Sequence, residues 1–246
     1  MSKSAVEENL IYSLYYCRHP LAFRFGSYLA LFRPMAIAHL VEKLYDFSDL
    51  RHHTFQRLQR TRLLIRDLIW YGINSEQGQK AIRHINVSHS KVDADNDAYR
   101  YVLCCFFLEP FRWNMRYEKT QISADNKQSV IDFWNEIGRR MGLSQLCRNE
   151  EEWLGFQQDY EHRFMRYSEQ GRKLAQLSLN ETPRLAFPPI ASHLVRQVLR
   201  ATFDENIRRT LRLQAPSSTS ILLVKFLPAL TMLAREKKKQ TTIKAA

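Results

Sequence analysis

A histidine in the segment INVSHSKV, residues 85–92, carries the clearest chemical signal in the sequence. Ile82, Ile85 and His89 are spaced i, i+3 and i+7, so they share one face of a helix. Such a histidine is either a core side chain bonded to a backbone carbonyl or a metal ligand in an apolar pocket. With no second ligand at i+4, a metal site here suits haem better than zinc, because the porphyrin supplies four nitrogens.

Two other histidines are weaker candidates for the same chemistry. His84 lies five residues before His89, on a different helix face. His193 is distant in sequence and is an alternative for the other side of a haem.

A basic cluster, RLQRT at 57–61, precedes the histidine segment. Arg57 and Thr61 are spaced i and i+4, and Arg60 lies beside Thr61. The cluster is either a solvated basic face or a group of cations and a hydroxyl near bound oxygen or a haem propionate. Downstream, LEPFRWNMRYE at 108–118 predicts an ion-pair network around a kink at Pro110.

The overall charge favours anionic partners. The 246 residues carry a net charge of +12, part of it in the tail REKKKQTTIK at 235–244. A basic helical nucleic-acid-binding module is one interpretation. The basic residues are nevertheless spread over many segments without a helix-turn-helix signature, so no nucleic-acid partner is expected. No P-loop, GxGxxG, HExxH or GxSxG motif supports nucleotide or hydrolase chemistry.

The four cysteines predict reduced, buried thiols in a cytoplasmic protein, and no CxxCH motif for covalent haem is present. No signal peptide or apolar run long enough for a membrane span is found. The apolar stretch 10–41 is expected to pack against the domain or to guard a hydrophobic entrance. Peripheral membrane contact is a further interpretation of that stretch.

The hydrophobic periodicity is helical almost throughout, and only 7 glycines are present, so a single all-α domain spanning 1–246 is predicted. Gly72, a cap at Asn74 or Ser75, and Asn149 mark helix ends. Pro110 is expected to kink or interrupt its helix. The predicted helices cover 4–16, 21–32, 35–46, 50–71, 75–91, about 98–108, 112–119, 126–141, 150–179, 190–213 and 221–236.

Taken in order, these segments resemble the MpaB-type oxygenase family, which includes the latex-clearing proteins or rubber oxygenases. The motifs are RxxRT, the turn GINS, RxINxxH at 83–89, a turn followed by Tyr99, LEPFRWxxRYE, and FWxEIGxxMGL at 133–143. The resemblance covers roughly residues 30–180. It implies an all-helical, globin-like domain with additional helices that holds haem b and uses dioxygen to cleave carbon–carbon double bonds of isoprenoids.

The resemblance also implies roles for individual residues. His89 takes the place of the proximal iron ligand, and Arg57 and Thr61 match a pair near the haem. Arg60 stands where latex-clearing relatives carry a distal lysine, and a guanidinium is a poor general base because it stays protonated. Arg83 and Asn86 match residues that lead to the ligand and are expected to support it, or to serve helix packing.

The sequence therefore predicts a haem b-dependent oxygenase that acts with dioxygen on a hydrophobic, isoprenoid-like substrate. Arg57, Arg60 and Thr61 are its candidate catalytic residues; His89, Arg57, Thr61 and Arg83 are its candidate cofactor-binding residues, with His89 as the metal ligand. The alternatives are a haem-binding relative without catalysis and the basic nucleic-acid-binding module. Substrate, products, the second axial ligand and the oligomeric state are left open.

Overall fold

The computed structural model describes residues 10–47, 51–185 and 188–226, and this part of the chain is all-α, as predicted. Its one β-type pairing is an isolated bridge between Ile37 and Met165. No described helix combines the length and the apolar character needed to cross a membrane. The α-helices, numbered here α1 to α10, are Pro20–Phe32, Ala38–Phe47, Thr54–Tyr71, Glu76–His89, Asn96–Tyr117, Ala124–Arg140, Glu150–Phe164, Glu169–Glu181, Ser192–Thr202 and Glu205–Thr210.

Side-chain caps begin most of the helices that build the site. Ser75 accepts a hydrogen bond from the backbone N–H of Gly78, so Ser75 rather than Asn74 caps α4. Asp95 caps α5 in the same way. Gly72 ends α3 with a positive φ of 81°, a conformation that suits glycine, which confirms the predicted helix end. The caps thus fix where α3 stops and α4 begins. The same side-chain cap starts α6, α7, α8 and α10 at Ser123, Asn149, Ser168 and Asp204.

The core is built on the contact between α1 and α5, which is the most extensive between any two described helices. A Cβ atom at Gly26 of α1 would lie 2.4 Å from the backbone N and Cα of Pro110 in α5. α5 continues unbroken through Pro110 to Tyr117, so the predicted interruption there is wrong. The pyrrolidine ring of Pro110 packs against Gly26, and the neighbouring helices hold α5 in place around it.

Two other predicted helices are each divided in two. The predicted helix 150–179 is wrong at 165–168, where Met165 bridges to Ile37 and the backbone N–H of Arg166 donates to the carbonyl of Ala36 at 3.0 Å. These hydrogen bonds to the segment at 36–37 replace the hydrogen bonds that a continuous helix would make. The predicted helix 190–213 is likewise divided between α9 and α10, because the side chain of Asp204 caps a new helix.

The ends of the chain are only partly described. Residues 10–12 are helical and Ser13–Arg18 form a π-helix, whereas residues 4–9 of the predicted first helix lie outside the described part. Residues 218–226 are helical, and the remainder of the predicted last helix, with Pro228 and the basic tail, also lies outside it.

The cysteine prediction is confirmed in part. Cys104 and Cys105 are buried free thiols in the core, and burial raises the pKa of Cys104. Cys147 is a half-buried free thiol. Cys17 is exposed, so its predicted burial is wrong.

The α1–α5 contact leaves no room for a side chain at Gly26, which makes this position a test of the contact. Gly26→Ala forces a methyl group against the α5 backbone, and we expect it to lower the free energy of unfolding by about 3 kcal/mol. Gly155→Ala is the matched control. Gly155 is an exposed position of α7 with no atom within 4 Å of the added carbon, and the substitution should be neutral or stabilising by about 1 kcal/mol.

Urea denaturation followed by circular dichroism measures both changes. Equal stabilities of the two variants would show that α1 and α5 are not in this close contact.

Candidate functional site

A largely apolar cavity, the first cavity, lies between the end of α1 and helices α3 to α6. Its volume is about 220 Å³, within an empty space of about 1280 Å³ that includes its open mouth. A single water molecule needs only about 10–15 Å³, so the first cavity has room for a sizeable ligand. The polar side chains that reach its wall are those of Arg57, Thr61, Ser88, His89, Tyr99 and Trp134.

His89 is the last residue of α4 and lines the first cavity. Neither nitrogen of its imidazole is hydrogen-bonded to any described residue. The ring is stacked on that of Tyr99, with centroids 4.6 Å apart and 28° between the planes. The Tyr99 hydroxyl donates to the carbonyls of His89 at 2.8 Å and Val92 at 3.0 Å. Tyr99 therefore holds both the ring and the backbone of His89.

The imidazole of His89 is neutral at physiological pH. Burial, together with the smaller effect of the nearby positive charge of Arg57, lowers its pKa from the ordinary value of 6.5 to about 4. A neutral imidazole that is half-buried, faces a cavity and has no hydrogen-bond partner keeps a lone pair available for a ligand.

Arg57 and Thr61 reach the same cavity from α3. They are one helical turn apart, and the Thr61 hydroxyl donates to the backbone carbonyl of Arg57 at 3.1 Å. The predicted site thus has three members together: His89 from α4 and this pair from α3.

Arg60 and Arg83 do not join that group. Both side chains are exposed, and neither lines the first cavity. Arg60 lies about 100° around α3 from Thr61, and its exposed side chain points away from the first cavity. The positions of these side chains therefore do not support the predicted catalytic role of Arg60 or the predicted cofactor contact of Arg83.

The remaining candidates also lie apart from the first cavity. His84 and His193 are exposed and do not line it. The Asn86 side chain donates to the backbone carbonyl of Arg140 at 3.0 Å. It ties α4 to the end of α6, one turn before His89, and so supports the position of the histidine.

The aromatic and aliphatic wall of the first cavity was not identified from the sequence. Tyr99, Val102, Leu103 and Phe106 of α5 form a stripe at i, i+3, i+4 and i+7. That periodicity marks an inward face, but the same pattern describes an ordinary core helix. Trp134 of α6 completes the wall, and its indole N–H donates to the Tyr15 hydroxyl at 2.8 Å.

The residues present fit a haem. An ion held by protein side chains alone needs three or four donors. No group of three or more His, Cys, Asp or Glu side chains suited to a metal occurs in the described part of the chain. A metal at His89 would therefore take most of its ligands from a cofactor. Apolar walls, a single neutral imidazole and the Arg57 cation are the surroundings that a porphyrin with carboxylate substituents requires.

Comparison with known proteins places the chain in a family. No curated protein matches the chain. The family model described as "ER-bound oxygenase mpaB/B'/Rubber oxygenase, catalytic domain" matches residues 16–235, which includes every site residue discussed above and most of the sequence. The chain therefore belongs to the mpaB and rubber oxygenase family.

Proposed function

We propose that this protein is a haem b-dependent oxygenase that uses dioxygen to cleave a carbon–carbon double bond in an isoprenoid-like substrate. The observation that carries the proposal is the neutral imidazole of His89, which faces an apolar cavity and is hydrogen-bonded to none of the described residues. Membership of an oxygenase family supports the reaction class. The cofactor, the substrate and the residue roles are the parts that we add.

His89 would hold the cofactor through a ring nitrogen, and the haem iron supplies the dioxygen chemistry. Tyr99 fixes the angle of the imidazole by stacking and anchors the end of α4 through its hydroxyl. Asn86 holds the same helix to α6. These contacts restrict the histidine before any ligand binds, which reduces the entropy lost on binding.

Arg57 would place a permanent positive charge at the cavity wall, either against a haem propionate or near an oxygen that gains negative charge. Thr61 supplies a hydroxyl whose donor is directed at its own helix. Rotation about its Cα–Cβ bond would redirect that donor into the first cavity. No proton transfer is assigned to Arg60, since its side chain is exposed and a guanidinium stays protonated.

The apolar wall would exclude water and bind the hydrocarbon part of the substrate. Leu64, Ile65, Leu68, Val102 and Phe106 offer dispersion contacts and no hydrogen bonds. An extended, alkene-bearing chain suits such a wall. A cytoplasmic location with peripheral membrane contact stays a prediction.

The haem spectrum tests the role of His89. We expect the full chain, expressed with haem available, to show a Soret band and a b-type pyridine haemochrome. His89→Ala should lose the band or shift it strongly, because the iron loses its protein nitrogen. His84→Ala is the matched control: it removes an exposed histidine from the same helix and should leave the spectrum unchanged.

A colourless but folded wild-type protein would contradict the proposal. So would a His89→Ala variant that keeps the wild-type spectrum.

The charge of Arg57 gives a second test, which requires no haem. In the haem-free protein, the His89 ring should titrate at about pH 4, and Arg57→Gln should raise that pKa because it removes a nearby positive charge. Arg60→Gln, which removes an exposed charge from the same helix, should change it much less. NMR of isotope-labelled histidine measures the pKa of His89 in the wild-type protein and in the two arginine variants. His89→Gln assigns the signal.

The same pKa shift predicts how stability depends on pH. Between about pH 4 and 6.5, the unfolded chain binds a proton at His89 that the folded chain does not, so this residue makes stability fall as pH falls. His89→Gln should flatten that part of the curve. A His89 signal that titrates near 6.5 would show that the ring is not buried in the cavity wall.

A further inference from the structure

A second cavity lies on the other side of a thin wall from the first. It is formed by residues near the start of the described chain, by α1 and by the second half of α3, and its volume is about 420 Å³. Leu31, Thr61, Ile65 and Phe106 line both cavities. A molecule in the second cavity would therefore touch the wall that Thr61 shares with the proposed reaction site.

The second cavity combines aromatic walls with cations. Tyr16, Phe23, Tyr28 and Trp70 supply ring surface, and Trp70 makes edge contacts with Tyr12 and Tyr16. Arg24, Arg62 and Arg66 also line it, and the described residues of its lining include no aspartate or glutamate. Such a space offers a long apolar contact together with an excess of positive charge.

Arg62 is the cation best placed to bind an anion. Arg66 is paired with Asp67, whose carboxylate accepts its hydrogen bonds at 2.7 and 3.0 Å. Arg62 is half-buried and has no carboxylate partner among the described residues. A guanidinium that is partly removed from water binds a carboxylate strongly through two parallel hydrogen bonds.

The tyrosines of the second cavity do not neutralise the positive charge of Arg62. Burial raises the phenol pKa of Tyr16 and Tyr28, and the opposing effect of Arg62 is smaller. Both phenols are therefore neutral at physiological pH. They can donate hydrogen bonds to an anion without cancelling the charge of the guanidinium.

We propose that the second cavity binds the carboxylate end of a long-chain acid, with Arg62 as its anchor. The hydrocarbon chain would run along the wall of Leu31, Ile65 and Phe106 towards the first cavity. If the bound acid is the substrate of the proposed oxygenase, the substrate class is an isoprenoid or fatty acid with an anionic head. That part of the inference rests on the proposed function. The binding itself requires no haem.

A matched pair of ligands tests the anchor. Farnesoic acid and farnesol share one hydrocarbon chain and differ in the charge of the head. We would titrate each into the full chain without haem, measure affinities by calorimetry, and follow the tryptophan fluorescence, to which Trp70 of the second cavity contributes. The acid should bind roughly tenfold more tightly than the alcohol, since it alone pairs with the guanidinium.

Variants then assign the preference to one residue. Arg62→Gln should abolish the preference for the acid, and Arg62→Lys should restore part of it, because the charge returns without the two-pronged geometry. Arg196→Gln is the control, since this half-buried arginine of α9 lines neither cavity. Circular dichroism and thermal unfolding establish that each variant is folded.

Equal binding of acid and alcohol would overturn the proposal, and so would a preference that survives Arg62→Gln. A third result also overturns it: Arg62→Gln lowers haem affinity while acid binding is unchanged, which would assign Arg62 to a haem propionate. Selective acid binding by a protein that binds no haem would leave this inference standing and remove the proposed oxygenase function.

Discussion

The guanidinium of Arg33, at the end of α1, joins four parts of the chain. Its nitrogens donate to Glu109 of α5 and Glu161 of α7 at 2.5 Å each, and to Asp204 at the start of α10. Arg33 is 4% exposed and Glu109 is 5% exposed. Although burial alone would lower the pKa of Arg33, the surrounding carboxylates raise it well above its usual value, so the residue remains charged. A buried charge is tolerated only when its partners are in place, which makes these four segments interdependent.

This ion-pair network lies next to the first cavity. Pro34 and Met35 follow Arg33 directly and line the cavity. Arg112 of α5 also pairs with Glu109, and it donates a hydrogen bond to the side chain of Gln157 in α7. These contacts confirm the predicted ion-pair network around Pro110. The carboxylates hold α5 and α7 against the end of α1. Glu109 lies about one turn beyond Phe106 of the cavity wall, so these charges fix α5 next to a wall that is itself largely apolar.

Local patterns in the sequence predicted the helices and the site better than they predicted the connections. Caps such as Asn149, and the positive-φ glycine at 72, act through neighbouring residues and are readable from the sequence. The pairing of Ile37 with Met165 spans 128 positions, so no local signal marks the break in the predicted helix there. The same applies to Arg33, whose three partners lie 76, 128 and 171 residues away. Within the site, helical spacing brought Arg57 and Thr61 together, but only the packing of α3 shows that Arg60 faces outward.

Thr61 lies at the boundary between the two cavities, and its position suggests how binding and reaction would be connected. A chain anchored at Arg62 by its charged end passes the wall that Thr61 shares with the first cavity. Energy gained at the anchor can then offset the entropy lost in placing one segment of a flexible chain beside the proposed reaction site. An apolar wall alone cannot fix the position of the substrate chain along the cavity, because dispersion contacts change little when a uniform chain slides by one repeat unit. A single charged anchor at a fixed distance would determine which double bond reaches the site, and so would select the bond that is cleaved.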